Sequence, residues 1–494
     1  MAFTNDSHFD TGASELIIRL QDILPEDCLV IGEEPIRPYE CDGLTIYRET
    51  PLAVAIPENE AQVVAVLKVC HALGVPVVPR GAGTGLSGGA LPHSQGVLLS
   101  MVKMKSIVRV DPKAQLAVVQ PGVRNLAISE AAQPHGLYYA PDPSSQIACT
   151  IGGNVAENSG GVHCLKYGLT VHNVVRARVI LMDGDIVELG GEAPDSPGMD
   201  LLALFVGSEG LLGVVTEVTV KLIPSPESAR LIMASFDSTT DAADAVAAII
   251  SAGIIPAGLE MMDQATTAAV EPFVNAGYDL DAAAILLAES DGSVDEVNAE
   301  IKHMEAVLRD CGARTLSISA SEQQRLLFWA GRKAAFPAIG RISPDYYCMD
   351  GTIPRRRLGE MLGAIGDMED KYGLRCANVF HAGDGNLHPL IMFDANVAGE
   401  VERAEQFGAE ILELSVAFGG SITGEHGVGA EKINQMCVQY SAEELERFHS
   451  VKRAFDPEGL LNPGKAIPTL HRCAEYGAMI VHGGELPFPE LPRF

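Results

Sequence analysis

Glycine decides what the first half of this chain can fold into. From Pro79 to Gly89 the residues run Pro-Arg-Gly-Ala-Gly-Thr-Gly-Leu-Ser-Gly-Gly, and from Ile151 to Gly161 they run Ile-Gly-Gly-Asn-Val-Ala-Glu-Asn-Ser-Gly-Gly. The first tract contains a literal G-x-G-x-x-G at Gly83 to Gly88. In a doubly wound dinucleotide fold that motif must open a helix directly after a strand. Here Ala90-Leu91-Pro92 and strand-like Val97 to Ser100 follow, so no helix begins and that fold is set aside. Successive backbone N–H groups of Gly81 to Gly85, with the Thr84 and Ser87 hydroxyls, can instead converge on a pyrophosphate. One such tract alone can also be a mobile surface loop. Two tracts flanking a strand hairpin read as backbone packed on a long ligand with phosphate at one end.

The surrounding pattern is α+β. Val63, Leu67 and Cys70 share a stripe from Glu60 to Leu73, and Gly74 stops it, which predicts a helix. Val75 to Pro79 predicts a buried strand, and Ser106 to Gln120 a hairpin around Asp-Pro-Lys. Val174 to Met182, Ile186 to Leu189 and Val214 to Ile223 predict further strands, and Pro224 and Pro226 a linker. From about Arg230 strands at Leu231 to Phe236, Gly258 to Met262 and Ala283 to Glu289 alternate with helices at Asp241 to Ser251 and Asp295 to Cys311. That alternation predicts a sheet with helices on one side. A helix from Arg357 to Tyr372, a hairpin from Cys376 to Phe393, helices from Val401 to Phe418 and Ala442 to Phe455, and an Asn462-Pro463-Gly464-Lys465 turn complete the chain.

At 494 residues the chain exceeds what one core usually supports, so two or three domains are expected. Its 65 acidic and 35 basic side chains leave a formal charge of -30, which argues against nucleic acid and against a basic membrane-surface patch. An anionic substrate would need a local positive site. No apolar run reaches the roughly 18 residues of a membrane span, and the segment from Met1 to Asp10 lacks a basic start before an apolar stretch, so the expected place is the cytoplasm. The 10 cysteines are scattered singly with no C-x-x-C pair, which predicts reduced thiols and no zinc ribbon or iron–sulfur cradle. Redox chemistry would then need a bound cofactor.

The segment Phe380-His-Ala-Gly-Asp-Gly-Asn-Leu-His-Pro389 places His381 and His388 on either side of a Gly-Asp-Gly turn signal. If the flanking strands pair, both histidines reach one ion, and Glu425 in Gly420-Ser-Ile-Thr-Gly-Glu-His-Gly-Val-Gly429 is the best third ligand, giving a His-His-Glu set with open positions. Hydrogen-bonded structural histidines satisfy the same pattern. His426, beside Glu425, would be a base near that ion. Arg332, next to the only tryptophan, is the candidate substrate clamp, since a guanidinium grips a carboxylate with two parallel hydrogen bonds. Arg355, Arg356 and Arg357 read as solvated surface.

Pro79 to Gly89, Pro141-Asp142-Pro143-Ser144-Ser145, Gly152 to Asn158, His381 to His388, Glu425-His426 and Asn462 to Lys465 together, in this order, resemble the vanillyl-alcohol-oxidase-type (PCMH-type) flavoproteins, and within them the FAD-linked D-2-hydroxyacid dehydrogenases. The resemblance runs over nearly the whole chain. It implies a PCMH-type FAD-binding domain at 1–225, an α/β cap carrying an antiparallel sheet at 226–430, and a segment at 431–494 that returns to the FAD domain. By motif, Pro79, Gly81, Gly83, Thr84 and Gly85 would hold the pyrophosphate; Asp142, Ser145, Gly152, Gly153, Asn158, Gly213, Val215 and Asn462 would line the rest of FAD. His381, His388 and Glu425 would hold a divalent metal (zinc, manganese or iron), with His426 as base and Arg332 on the substrate. The implied reaction is oxidation of a small 2-hydroxy acid, glycolate or D-lactate, by hydride transfer to flavin N5. Relatives acting on D-2-hydroxyglutarate carry a lysine where this chain has Cys348-Met349-Asp350, which argues against a long dicarboxylate. Flavin is expected to bind non-covalently, His163 being the only nearby candidate for a covalent link. Implied partners are an iron–sulfur subunit and a second flavin-type subunit, the assembly peripheral at the inner membrane; the alternative is a self-sufficient D-lactate or D-2-hydroxyglutarate dehydrogenase. Two readings outside this family are a flavin-free metal hydrolase and a non-catalytic scaffold subunit.

Overall fold

The computed structural model describes residues 7–193 and 198–469. Its first half is built on two main sheets and a two-stranded ribbon, in which Ile223–Pro224, the start of the expected linker, pairs with Leu137–Tyr138. Strands Leu29–Val30, Ala53–Ala55, Val97–Ser100 and Val77–Arg80 lie side by side in that order, the last three parallel. The helix Glu60–Leu73 forms over the predicted residues: Asn59 caps its start through Gln62 N, and Gly74 ends it in the left-handed conformation at φ 65°. No helix follows the first glycine tract, and the chain runs from Arg80 through an irregular loop into Val97–Ser100. The second sheet, Ile107–Asp111, Leu116–Val119, Val214–Lys221, Val174–Ile180 and Ile186–Gly190, is wholly antiparallel.

The second glycine tract departs from a loop. Ile151–Glu157 is a short helix, ended by Asn158 at φ 52°. Two glycines weaken a helix by about 1 kcal/mol each, but Ile151, Asn154 and Val155 bury one face and repay that cost.

The second half is one seven-stranded antiparallel sheet, ordered Thr315–Ile318, Ser228–Phe236, Ala284–Gly292, Gly258–Asp263, Cys376–Phe380, Pro389–Phe393 and Asp345–Cys348. Helices cover both faces, not one as the alternation suggested. Leu286 and Ala288 pack with helices Thr239–Ser251 and Val294–Asp310, whose Val297, Ile301, Met304 and Leu308 form the expected stripe. Ile285 and Leu287 pack on the opposite face with Phe328, Trp329, Ala335 and Ile339. The unbroken apolar runs of these strands are the sequence mark of a sheet buried on both sides.

The helix Ala442–Phe455 brings the chain back to the first half, and Val77 pairs with Leu461. Residues 470–494 of the expected C-terminal segment lie outside the described residues. Eight cysteines, Cys28, Cys41, Cys70, Cys149, Cys164, Cys311, Cys348 and Cys376, are free thiols, but Cys437 is disulfide-bonded, so wholly reduced thiols do not hold at that position. Among the described residues no helix is long and apolar enough to cross a membrane.

The return of the last helix depends on one buried ammonium. Lys452 Nζ donates to Asp456 Oδ2 at 2.6 Å and to the carbonyls of Leu211 and Leu461 at 2.7 Å. Lys452→Met would leave the Asp456 carboxylate buried without its cation, at a cost of about 3 to 5 kcal/mol. The expected result is a lower denaturant midpoint with unchanged slope; an unmoved midpoint would mean that this contact does not hold the two parts together.

Candidate active site

The two glycine tracts meet. A methyl group built on Gly81 would overlap Thr150 Oγ1 and come within 3.5 Å of Gly153 N, so the loop after Val77–Arg80 lies directly on the start of the helix Ile151–Glu157. Beside this contact opens a cavity of about 360 Å³. Its wall includes Pro79, Gly81, Gly83, Thr84, Gly85, Ser145, Gly152, Gly153, Gly213 and Val215, all expected from the sequence. Three other expected residues stand behind the wall. Asp142 accepts from His163 N and Nδ1, Asn158 Oδ1 accepts from Val171 N, and Asn462 Nδ2 donates to the carbonyls of Gly89 and Glu209. Asn462 thus anchors the C-terminal turn to the end of the first glycine tract.

The cavity fits a dinucleotide. A Cβ on Gly85 would find nothing nearer than 3.9 Å and one on Gly153 nothing nearer than 3.6 Å, so bare backbone faces the space. The buried hydroxyls of Thr150 and Ser208, both on this wall, have no hydrogen-bond partner in the protein. Unsatisfied buried donors are costly, and a polyoxygen ligand would satisfy them.

The second half supplies the other wall: Lys333, Phe336, Pro337, His388, Glu425 and His426. The hairpin turn between Cys376–Phe380 and Pro389–Phe393 brings the His381 and His388 rings to 5.0 Å, nearly perpendicular. Glu425 Oε1 lies 3.0 Å from His381 Nε2 and 3.3 Å from His388 Nε2. His388 is buried, and neither of its ring nitrogens has a hydrogen-bond partner. A ligand set with one orphaned imidazole suits a divalent ion.

His388 also belongs to a second cluster with Asp350 and His426, but Asp350 is already committed. It accepts from Thr423 Oγ1 at 2.5 Å, from the backbone N–H groups of Gly424, Glu425 and His426, and from Lys432 Nζ at 3.4 Å. Burial would raise its pKa, yet the His426, Lys432 and His388 charges hold it well below the usual range. His426 stacks on His388 at 4.9 Å, nearly parallel, with its Nδ1 unpartnered. Burial pushes the His426 imidazole down to about 4.

His381 is held on its other side by an acid the sequence reading missed. Glu260 accepts from His381 Nδ1 at 2.7 Å and from Arg332 Nε at 2.6 Å. Burial opposes its ionisation, but the His381 and Arg332 charges outweigh it and lower its pKa. The two flanking carboxylates overcome burial at His381 and raise it to about 10, while burial at Glu425 is outweighed by His381, His388 and His426, which pull it to about 2. Arg332 is 1% exposed, outside the cavity wall, and its Nη2 has no protein partner. A charged residue inside Gly-Leu-Glu-Met-Met was the available signal for Glu260, since an acid in a strand buried on both faces must be paired.

His163 is bound at both ring nitrogens, by Asp142 at 2.8 Å and by Glu289 at 3.1 Å. Glu289 also accepts from Arg325 and from Trp329 Nε1. Arg355 Nε donates to the Gly383 carbonyl and Arg357 lies 4.0 Å over the Phe418 ring, so these two arginines brace the hairpin turn and the helix Glu400–Ala417 rather than standing free in solvent.

Sequence comparison agrees with this geometry. Residues 51–190 match the family described as "FAD binding domain", and residues 225–466 match "FAD linked oxidases, C-terminal domain". The chain is 61% identical over 485 residues to "Glycolate oxidase subunit GlcD" of Escherichia coli (strain K12), covering 98% of this chain and 97% of that protein. The chain belongs to the FAD-linked oxidase family. Within it, the ordered motifs fit the FAD-binding D subunit of glycolate oxidase. "Glycolate oxidase subunit GlcD" of Bacillus subtilis is 41% identical over 86% of this chain and 91% of its own length, and "D-lactate dehydrogenase" of Anaerostipes hadrus 32% over 91% and 97%. Solved structures of p-cresol methylhydroxylase (TM-score 0.76, 19% identity, 94% of this chain and 98% of that one) and of 4-ethylphenol oxidase from Gulosibacter chungangensis (0.78, 18%, 93% and 98%) share the fold.

The contact between the tracts gives a test. Gly81→Val would force the loop off Thr150, and the purified protein is expected to lose most of its bound flavin while keeping its circular dichroism. A variant with full flavin content would show that this contact does not shape the cofactor cavity.

Proposed function

We propose that the protein oxidises a small 2-hydroxy acid, glycolate or D-lactate, with FAD as electron acceptor, and that it does so as the catalytic subunit of a larger complex. The observation that carries this reading is the cavity itself: glycine backbone for a dinucleotide on one wall, and His388, Glu425 and His426 on the other. We assign the FAD-binding domain to 1–225, the cap to 226–430, and the return segment to 431–494.

Bound FAD would supply the two-electron acceptor for the substrate's Cα hydrogen, transferred as hydride to N5. A divalent ion held by His381, His388 and Glu425 would supply Lewis-acid polarisation of the substrate hydroxyl. His426 takes the hydroxyl proton. Its depressed pKa keeps the imidazole neutral at physiological pH, and its unpartnered Nδ1 faces no competing donor. Asp350 fixes that ring by holding the backbone N–H of His426 at 2.9 Å. Arg332, with Nε spent on Glu260 and its guanidinium outside the cavity wall, braces the Glu260–His381 pair in place of the substrate clamp expected of it.

The relatives named as glycolate oxidase subunits support a subunit role. The electrons then leave through an iron–sulfur subunit and a second flavin-type subunit, in an assembly peripheral at the inner membrane. The similarity to a D-lactate dehydrogenase supports a second reading, a self-sufficient enzyme. Anaerobic mixing with glycolate, D-lactate, L-lactate and D-2-hydroxyglutarate, with the flavin colour as readout, tests the substrate class: bleaching by the two short acids of this class is expected, and no bleaching by any acid would overturn the reading.

His426→Ala is expected to retain FAD but to slow anaerobic bleaching by glycolate about 10² to 10⁴-fold; an unslowed variant removes His426 from the chemistry. The ion has its own pH signature. Metal must displace the His381 proton, whose pKa lies at about 10. Apparent affinity should therefore rise about tenfold per pH unit between 6 and 8. Chelator competition across that range measures it, and a flat profile would exclude His381 as a ligand.

A further inference from the structure

We propose that Lys333 draws the anionic substrate into the cavity and holds its carboxylate at the mouth, as a specificity residue that no mechanism above requires. The proposal rests on the 2-hydroxy-acid reading and deepens it.

The chain's formal charge of -30 repels small anions, so any attraction has to come from the cavity wall. It holds two permanent cations, Arg80 and Lys333, beside the Glu425 carboxylate and three acids, Asp42, Glu157 and Glu209, whose pKa values burial raises. Arg80 is engaged: Nη1 donates to the Cys41 carbonyl at 2.6 Å, and its guanidinium lies 5.9 Å from the Tyr39 ring centroid. It also sits in the first glycine tract, on the wall opposite His388, Glu425 and His426. Arg332 is outside the wall and tied to Glu260. Lys333 differs from both. It ends the helix Glu322–Lys333, is solvent-exposed while lining the cavity, and its ammonium has no hydrogen bond or ion pair among the described residues.

Screening makes this position matter. At physiological ionic strength charges fade over roughly 8 Å, so only a cation at the mouth itself helps an anion enter. Phe336 and Pro337 flank Lys333 on the wall and offer no side-chain donor to a second, distal carboxylate. The mouth therefore suits a short monocarboxylate, met by one ammonium and passed inward to the imidazoles.

The test uses the FAD-loaded protein with Lys333→Met, Lys333→Arg and Lys333→Glu. Anaerobic flavin reduction is followed against glycolate concentration at several ionic strengths, and oxalate, which offers the carboxylate but no oxidisable C–H, is titrated by its perturbation of the flavin spectrum. Lys333→Met is expected to raise the half-saturating glycolate and the oxalate dissociation constant about tenfold, with the limiting reduction rate within about twofold and a flattened salt dependence. Lys333→Arg should restore both constants and the salt slope, and Lys333→Glu should worsen them. Unchanged constants and salt slope in Lys333→Met, beside a wild type that glycolate reduces, would overturn this proposal alone. A wild type that no 2-hydroxy acid reduces would overturn the functional reading and this proposal with it.

Discussion

Asp350 is the group on which the site depends. It is fully buried two residues beyond the strand Asp345–Cys348, and donors reach it from Thr423, Gly424, Glu425, His426 and Lys432. Three consecutive backbone N–H groups converging on one carboxylate force the 423–427 segment into a tight curl. The curl places Glu425 and His426 side by side, facing His388 from the neighbouring hairpin. An unpaired buried carboxylate would be untenable, so the fold has to close around Asp350 with all its donors present or not at all. The same commitment is why Asp350 organises the metal candidates instead of joining them.

Glu260 extends the logic one layer outward. Arg332, Glu260, His381 and Glu425 form a row of alternating charge, with contacts of 2.6, 2.7 and 3.0 Å. Every member except Glu425 is almost wholly buried. Each acid is stabilised as an anion by the cation beside it, and His381 is held as a cation by two anions. The row therefore has room for one positive charge at His381 Nε2, whether a proton or an ion. Glu260 also fixes the His381 ring through Nδ1, which leaves Nε2 as the atom aimed at Glu425.

The sequence carried the glycine tracts and the His-x₆-His hairpin because each is a local pattern with a physical cause: bare backbone at a ligand, and two strands that must pair. Cys376–Phe380 and Pro389–Phe393 formed where their apolar runs demanded. Ile151–Glu157 went the other way. Its glycines read as loop, but Ile151, Asn154 and Val155 at helical spacing pack inward, and burial overrode propensity. The placement of helices on both faces of the large sheet is encoded in the uninterrupted apolar strands, not in the alternation of strands with helices. Glu260 and Asp350 were the least legible. Each is a lone acid whose partner lies far along the chain, Glu260 72 residues from Arg332 and Asp350 76 residues from His426, and no local pattern encodes such a pairing. Asp142, Asn158 and Asn462 show a related limit: motif matching finds residues that belong to a site without distinguishing wall from buttress.

Because the cavity is shared between two halves of the chain, their relative orientation has to be fixed to a fraction of an ångström. Val162 of the first half joins an apolar cluster of the second, and the contacts that add direction are ionic. His163 and Lys166, a single turn apart in the first half, bind Glu289 and Asp291 at the end of one strand in the second. Asp142 and Glu289 outweigh burial and raise His163 well above the usual imidazole range, and burial of Glu289 is outweighed by His163, Arg325 and Trp329, which hold it at about 2. Buried ion pairs of this kind add little net stability, since desolvation cancels most of the attraction, but a displaced partner leaves an uncompensated charge. An apolar interface of equal area would tolerate sliding. This one penalises it steeply, and that stiffness, more than strength, is what a site assembled from opposite walls requires.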